Sequence, residues 1–217
     1  MKRVVIICAG GHAREVAAIV RHQSQSQGEL ALLGFVVERE YLPRDVTPDL
    51  PILGDWSWFE NADRDGLAVV CAVGDPALRK RLVDQAMAIG LSFTSVISPL
   101  AYVSGDAKIG QGVMVFPFAV ISTNNFLGDH AIINAGSTIG HDAMIHSYAT
   151  ISPGVHIAGN VSLGEGSYLG IGSNVMNRVS IGAWTMIGAG SVVNRDVPDN
   201  VTAVGVPARI IKKRQIP

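Results

Sequence analysis

Residues 137–159 read STIGHDAMIHSYATISPGVHIAG, three histidines and one aspartate in a stretch otherwise built of small residues punctuated by isoleucine. Imidazoles and carboxylates this close in sequence can ligate a metal, move protons in catalysis, or face water on the outside of a repeat. A zinc site needs three or four ligands converging at about 2.0–2.3 Å. Proton transfer near pH 7 needs less. His141 is followed directly by Asp142 in a turn that begins at Gly140, and a carboxylate beside an imidazole favours the protonated ring and fixes its tautomer. Adjacent His-Asp pairs also arise by chance, so the elements that position these residues must decide.

From Ile97 every sixth residue is aliphatic, through Ile139, Ile145, Ile151 and Ile157 to Val193, seventeen positions with no insertion to break the phase. Four residues after each stands a small side chain more often than not (Ala107, Ala119, Ala131, Ser137, Ala143, Ala149), and glycine gathers at the first and third positions. An amphipathic helix repeats near 3.6 residues and a simple strand at two, so an unbroken six is the signature of a parallel β-helix. Aliphatic residues stacked at about 4.8 Å per coil fill a narrow prism, and small partners keep its walls close. With three hexapeptides per coil, residues 97–199 give between five and six coils. In that register positions zero and four point inward. His130, His141, His146 and His156 occupy none of these phases, so all four are expected outside the prism. Their phases modulo eighteen all differ, so no two stack on neighbouring coils, and the register argues against a metal. Exterior histidines of a solenoid are usually solvated; His141 stands apart only through Asp142.

Residues 1–95 follow a different grammar. RVVIICA, LALLGFVVE and GLAVVCAVGD read as buried strands. GGHAREVAAIVRHQ places Val16, Ile19 and Val20 at helical spacing, and PALRKRLVDQAMAIG opens a helix on Pro76 and closes it near Gly90. Strands alternating with helices predict βαβ units and a small parallel sheet. Residues 40–65, rich in proline and aspartate, read as a loop-rich connection. The expected organisation is an α/β domain over 1–95, a β-helix over 96–199 and a short tail over 200–217. AGGHA between a strand and a helix offers backbone N–H groups and a helix N-terminus to a phosphate, but lacks the G-x-G-x-x-G spacing of a dinucleotide cofactor site. A tight turn with no ligand would use the same residues.

Composition limits the function further. A net charge of −1 over 217 residues gives no basic field for nucleic acid, and no apolar run nears the roughly 20 residues of a membrane span. Cys8 and Cys71 lie inside apolar strands as small core filler, and a cytoplasmic, disulfide-free protein is expected.

Several segments together, AGGHARE (9–15), GFVVER (34–39), AVGDPALRKR (72–81), NAGSTIGHD (134–142), SPGVHIAGNVSLGEGSYLGIGS (152–173), IGAGSVV (187–193) and VGVPAR (204–209), resemble the bacterial sugar acetyltransferases that join a βαβ domain to a left-handed β-helix. That family includes the sialic acid O-acetyltransferases and the nucleotide-aminosugar N-acetyltransferases, and the chain is most similar to the GDP-perosamine type. The left hand comes from this resemblance, since general crossover rules favour the opposite one. The resemblance implies acetyl-CoA as co-substrate, no metal, a nucleotide aminosugar as acceptor, and a homotrimer with sites between subunits. It makes His141 the catalytic base and Asp142 its acidic partner. Gly10, Gly11, His12 and Gly74 become nucleotide-sugar contacts. Glu38 keeps the acidic character of a pair whose other member here is Val37. Asn134 becomes a sugar contact, and Thr150, Ile171 and Ala189 lie along acetyl-CoA. The expected reaction is N-acetylation of a nucleotide-linked 4-amino-4,6-dideoxyhexose by direct attack on the thioester. O-acetylation of a sialic-acid-type sugar and a non-catalytic β-helix scaffold remain as alternatives. The basic residues Arg209, Lys212, Lys213 and Arg214 are expected to be solvated rather than to meet CoA phosphates.

Overall fold

The computed structural model describes residues 2–28, 30–39 and 51–215. Strand β1 (Lys2–Ile7) alternates its side chains, Val4 and Ile6 entering one apolar cluster and Val5 and Ile7 another. It pairs in parallel with β2 (Leu30–Val36) on one side and β4 (Leu67–Cys71) on the other. β3 (Ile52–Gly54) extends the sheet to the order β3-β2-β1-β4. Helix α1 (Gly11–Gln27) packs Ala13, Val16 and Val20 on the Val4 side. A one-turn helix α2 (Trp58–Asn61) brings Phe59 to the Val5 side, where Leu82, Val83 and Ala86 of α3 (Pro76–Ala88) also pack. Asp75 caps α3, its carboxylate accepting the Leu78 N–H at 2.8 Å, with Pro76 in the first helical position. Residues 51–65 are thus less irregular than their composition suggests: Ile52 and Leu53 supply a strand, and Phe59 finds a core. Residues 40–50 of that expected loop lie outside the described residues.

Seventeen two-residue strands follow, from β5 (Val96–Ile97) to β21 (Val192–Val193), and each pairs in parallel with the strand eighteen residues away, as Phe126 with Met144 and Thr138 with His156. They form three faces of a triangular prism. The first face carries Met114, Ile132 and Thr150, the second Val120, Thr138 and His156, the third Phe126, Met144 and Ser162. The stacked aliphatics from Val115 to Val193 are buried in one cluster. Ile97, Val103 and Ile109 are only partly buried, because the first coil has no coil before it to cover that end. From Ile109 to Ile187 the third residue after each aliphatic position turns the corner in the left-handed backbone region, φ being 59° at His130, 60° at Asp142 and 66° at Gly136. β22 (Val201–Val204) continues the first face beyond residue 199, and β23 (Arg209–Lys213) returns antiparallel upon it. The described part of the tail, 200–215, therefore carries two strands, with Val201 and Ala203 buried and Arg209, Lys212 and Lys213 exposed. The α/β domain sits on the first face: Val96, Met114 and Ile132, pointing out of the prism, join α1 and β1 in one core.

Candidate active site

His141 and Asp142 stand at the corner between the second and third faces. The left-handed backbone at Asp142, which Asp and Asn tolerate better than most residues, turns its carboxylate back upon the preceding ring. His141 Nδ1 lies 2.6 Å from Asp142 Oδ2, and Asp142 Oδ1 accepts a 2.6 Å bond from Asn124 Nδ2 on the coil before. The Asn124 amide, followed by the His141 bond, holds the Asp142 carboxyl below the usual carboxylate range. An ionised carboxylate only accepts, so Nδ1 carries the proton and Nε2 presents a lone pair. Asn124 was not among the sequence candidates. Its signal was present, since it lies eighteen residues before Asp142, in the same phase of the preceding coil.

On the coil after, Gly159 leaves room for the ring: a Cβ built there would fall 2.6 Å from both Cε1 and Nε2 of His141. Gly159→Ala should therefore push the imidazole off its seat while costing little stability, because the displaced group is the end of an exposed side chain. Turnover is expected to fall at least tenfold with the melting temperature changed by under about 3 °C; unaltered turnover would show that this ring position is not used.

The second group of candidates gathers at the carboxyl ends of β1, β2 and β4. In the order β3-β2-β1-β4 the chain reverses direction across the sheet at β1 and β4, the place where open parallel sheets bind ligands. Gly10 and Gly74 follow those two strands. Nothing approaches within 4 Å of a Cβ at either, and α1 starts with neither a side-chain cap nor an acidic first turn. Its first N–H groups and positive dipole end therefore suit a phosphate. Glu38 does not reach into open space: Arg81 grips both carboxylate oxygens at 2.9 and 3.0 Å and lowers its pKa. His12 is half-buried, stacked at 5.2 Å on Phe116 of the prism, and its Nδ1 is 3.6 Å from Glu15. Burial disfavours its charged form.

Beside Phe116 a cavity of about 430 Å³ opens between α1 and the corner joining the first and second faces, lined by Asn134, Ala135 and Pro153. Ile171 and Ala189 continue that column of corner residues, one coil apart: the Gly190 N–H bonds the Ile171 carbonyl at 2.8 Å. Thr150 stands apart from these two corner residues. It is buried on the first face beneath the α/β domain, its hydroxyl donating to the Gly74 carbonyl and accepting from Arg79, both at 2.9 Å. Its side chain faces the nucleotide turn rather than the corner track.

His130 is not solvated, as an exterior histidine was expected to be. It is outside the prism, as its phase requires, yet only 1% exposed, because the α/β domain closes over it. Its ring lies edge-on to Phe93 at 4.6 Å and stacked on Tyr148 at 5.3 Å, and burial pushes its pKa down to about 4. His146 and His156 are exposed. Among the described residues no three His, Cys, Asp or Glu side chains are grouped to hold a metal ion, and no helix is long and apolar enough to cross a membrane. Cys71 is buried, and its thiol is raised by burial to about 12.

Within one chain the two groups do not meet. The Gly10–His12 loop, Gly74 and the cavity belong to the first face and its border with the second. His141 is on the corner opposite the first face. Around that corner apolar side chains stay exposed, Tyr102 and Val120 on the second face and Phe126 and Met144 on the third.

The PglD N-terminal domain family matches residues 3–86, and the bacterial transferase hexapeptide family (six repeats) matches residues 160–195. A perosamine N-acetyltransferase from Caulobacter crescentus, solved as a histidine-to-asparagine mutant with CoA and GDP-perosamine, is 36% identical, with 98% of each chain covered and a TM-score of 0.89. The acetyltransferase domain of PglB from Neisseria gonorrhoeae FA1090 is 30% identical over 97% of this chain and 100% of that one, with a TM-score of 0.87. WeeI from Acinetobacter baumannii AYE is 27% identical over 97% and 100%, with a TM-score of 0.87. No curated protein sequence matches the chain. The prism is the left-handed parallel β-helix of hexapeptide proteins, against the general preference for right-handed crossovers.

Proposed function

The chain belongs to the sugar N-acetyltransferases that join a PglD-type N-terminal domain to a hexapeptide β-helix, and from that membership we propose that it acetylates the 4-amino group of a nucleotide-linked 4-amino-4,6-dideoxyhexose, GDP-perosamine first among the candidates. The observation that carries the reading is the His141–Asp142 pair, held at 2.6 Å on an open corner with Nε2 directed away from the carboxylate. His141 Nε2 accepts a proton from the sugar amine as that nitrogen attacks the thioester carbonyl of acetyl-CoA. The C–N bond forms, the C–S bond breaks, and CoA leaves as the thiol once the proton is returned to sulfur. Asp142 keeps the ring in the required tautomer and stabilises the imidazolium that forms.

In this reading residues 1–95 hold the nucleotide sugar, with phosphates at Gly10 and Gly11, further contacts at His12 and Gly74, and Glu38 presented by Arg81. Residues 96–199 hold acetyl-CoA along the corner of Ile171 and Ala189, leading to Asn134 in the 430 Å³ cavity. His141 reaches that cavity from a second protomer, because its own lies on the far side of the prism. The exposed Tyr102, Val120, Phe126 and Met144 supply the apolar surface for such an assembly, and a trimer satisfies it with three equivalent sites.

Incubating the protein with radiolabelled acetyl-CoA and GDP-, UDP-, dTDP- and CMP-linked aminosugars, beside the corresponding hydroxyl sugars, tests the proposal. Label is expected in an amide of one aminosugar, and light scattering is expected to give three times the chain mass. Transfer to a hydroxyl alone would replace the reaction class. A monomeric, fully active protein would remove the shared site.

A further inference from the structure

One extensively bonded, buried polar side chain is not used by the proposed chemistry. Arg79, on α3, is fully buried, and its guanidinium reaches three parts of the chain at once. Nε donates to the His130 carbonyl at 3.0 Å. One terminal nitrogen donates to the carbonyls of Val73 at 2.6 Å and Gly74 at 3.2 Å. The other donates to Tyr148 at 2.5 Å, to Ala149 at 3.4 Å and to the Thr150 hydroxyl at 2.9 Å. Among the described residues it makes no ion pair. A buried cation without a carboxylate is costly, and burial lowers its pKa to about 10. Only a set of carbonyls fixed in the geometry of its planar fork compensates it. His130 and Tyr148 stand in the same phase of consecutive coils, whereas Val73 and Gly74 form the turn after β4. The Thr150 hydroxyl closes the ring of contacts by donating to the Gly74 carbonyl.

A side chain needed only for stability could be apolar here. What this fork adds is direction: every acceptor is a backbone carbonyl or the one hydroxyl that is itself tied to Gly74. We infer that Arg79 and Thr150 are positioning residues, which lock the Val73–Gly74 turn of the nucleotide-sugar site to the coils of the β-helix. The inference rests on the functional reading above for its consequence, but not for its geometry. In that reading acetyl-CoA runs along the corner of Ile171 and Ala189, and this network is expected to leave its affinity unaffected.

Two variants and two measurements separate the possibilities. Thr150→Val removes the hydroxyl with little change of shape, and Arg79→Lys keeps the charge but loses the fork. Hydrogen–deuterium exchange of the peptide covering residues 72–78 is expected to accelerate at least fivefold in both, with α1 unchanged. In steady-state assays with GDP-perosamine and acetyl-CoA, the KM for the sugar nucleotide should rise about tenfold in Arg79→Lys and three- to fivefold in Thr150→Val. The KM for acetyl-CoA should stay within twofold. Unchanged exchange in Thr150→Val overturns the inference, and so does a rise in the acetyl-CoA KM alone, which would return Thr150 to the acetyl-CoA site. If the wild-type chain acetylates none of the aminosugars, the functional reading fails, while the exchange result still decides whether the turn is locked. Should Arg79→Lys not fold, Thr150→Val carries both readouts.

Discussion

His141→Asn is expected to lower turnover by about 10²–10⁴-fold, the usual worth of a positioned general base, which is roughly 3–5 kcal/mol of transition-state stabilisation. Asparagine preserves polarity and approximate reach but has no titratable nitrogen in place of Nε2. The effect should be confined to turnover. His141 is exposed at a corner, and among the described residues its side chain bonds only Asp142, so the prism core does not depend on it and acetyl-CoA affinity is expected to be retained. The Kd for CoA by titration calorimetry is expected within twofold of wild type, with the melting temperature unchanged. A sugar amine that is largely deprotonated attacks without help, so turnover should partly recover at high pH in the variant. An undiminished rate at neutral pH would reject His141 as the base.

The largest effect on stability is expected at His130. Its pKa falls from 6.5 to about 4 on folding, so between those values the unfolded chain binds the proton and the folded chain does not. Stability contributed by the neutral buried ring is therefore fully present above about pH 6.5 and is lost as pH falls toward 4. The gap corresponds to roughly 3 kcal/mol. Burial against the Phe93 and Tyr148 rings outweighs every other cause; Asp129 opposes the shift, Arg79 adds to it with a nearby positive charge, and Asp84 opposes it least. His130→Phe should keep the stack on Tyr148 and the carbonyl that receives Arg79. Phe118 shows that phenylalanine occupies the same corner position, at φ 62°. Urea midpoints taken from pH 7.5 to 4.5 should fall more steeply for the wild type than for the variant. Parallel curves would mean that His130 does not couple folding to protonation. Among the described residues the buried His130 Nε2 finds no hydrogen-bond partner, so the variant should lose little at pH 7.5.

The prism was legible because its signal is one-dimensional: a period of six states which side chains point inward, and every zero position from Val115 onward is buried as that period requires. The same period put His141 outside the prism, but it put His130, His146 and His156 there too; the adjacent Asp142 and the family resemblance singled His141 out. What the phase could not say is which outward-facing residues a second domain would cover. His130 and Thr150 both face away from the prism axis, yet the α/β domain buries them on the first face. Their fate depends on contacts with Phe93, Arg79 and Gly74, more than thirty residues away in sequence. β3 and α2 escaped detection because three and four residues carry too little periodicity to compete with the proline and aspartate around them. Neither Asn124 nor Gly159 stood out singly. Each is a neighbour of the His141–Asp142 pair through the eighteen-residue coil, not through the local sequence.

The eighteen-residue coil also governs what lengths the molecule tolerates. A single residue gained or lost between Ile97 and Val193 would rotate all later side chains by one place, exchanging inner for outer positions in every following coil. Eighteen residues added together would leave each corner where it was and merely make the column one storey taller. Natural or engineered variants of this chain should therefore differ in whole storeys or in corner loops that bulge outward, never by a step that breaks the count.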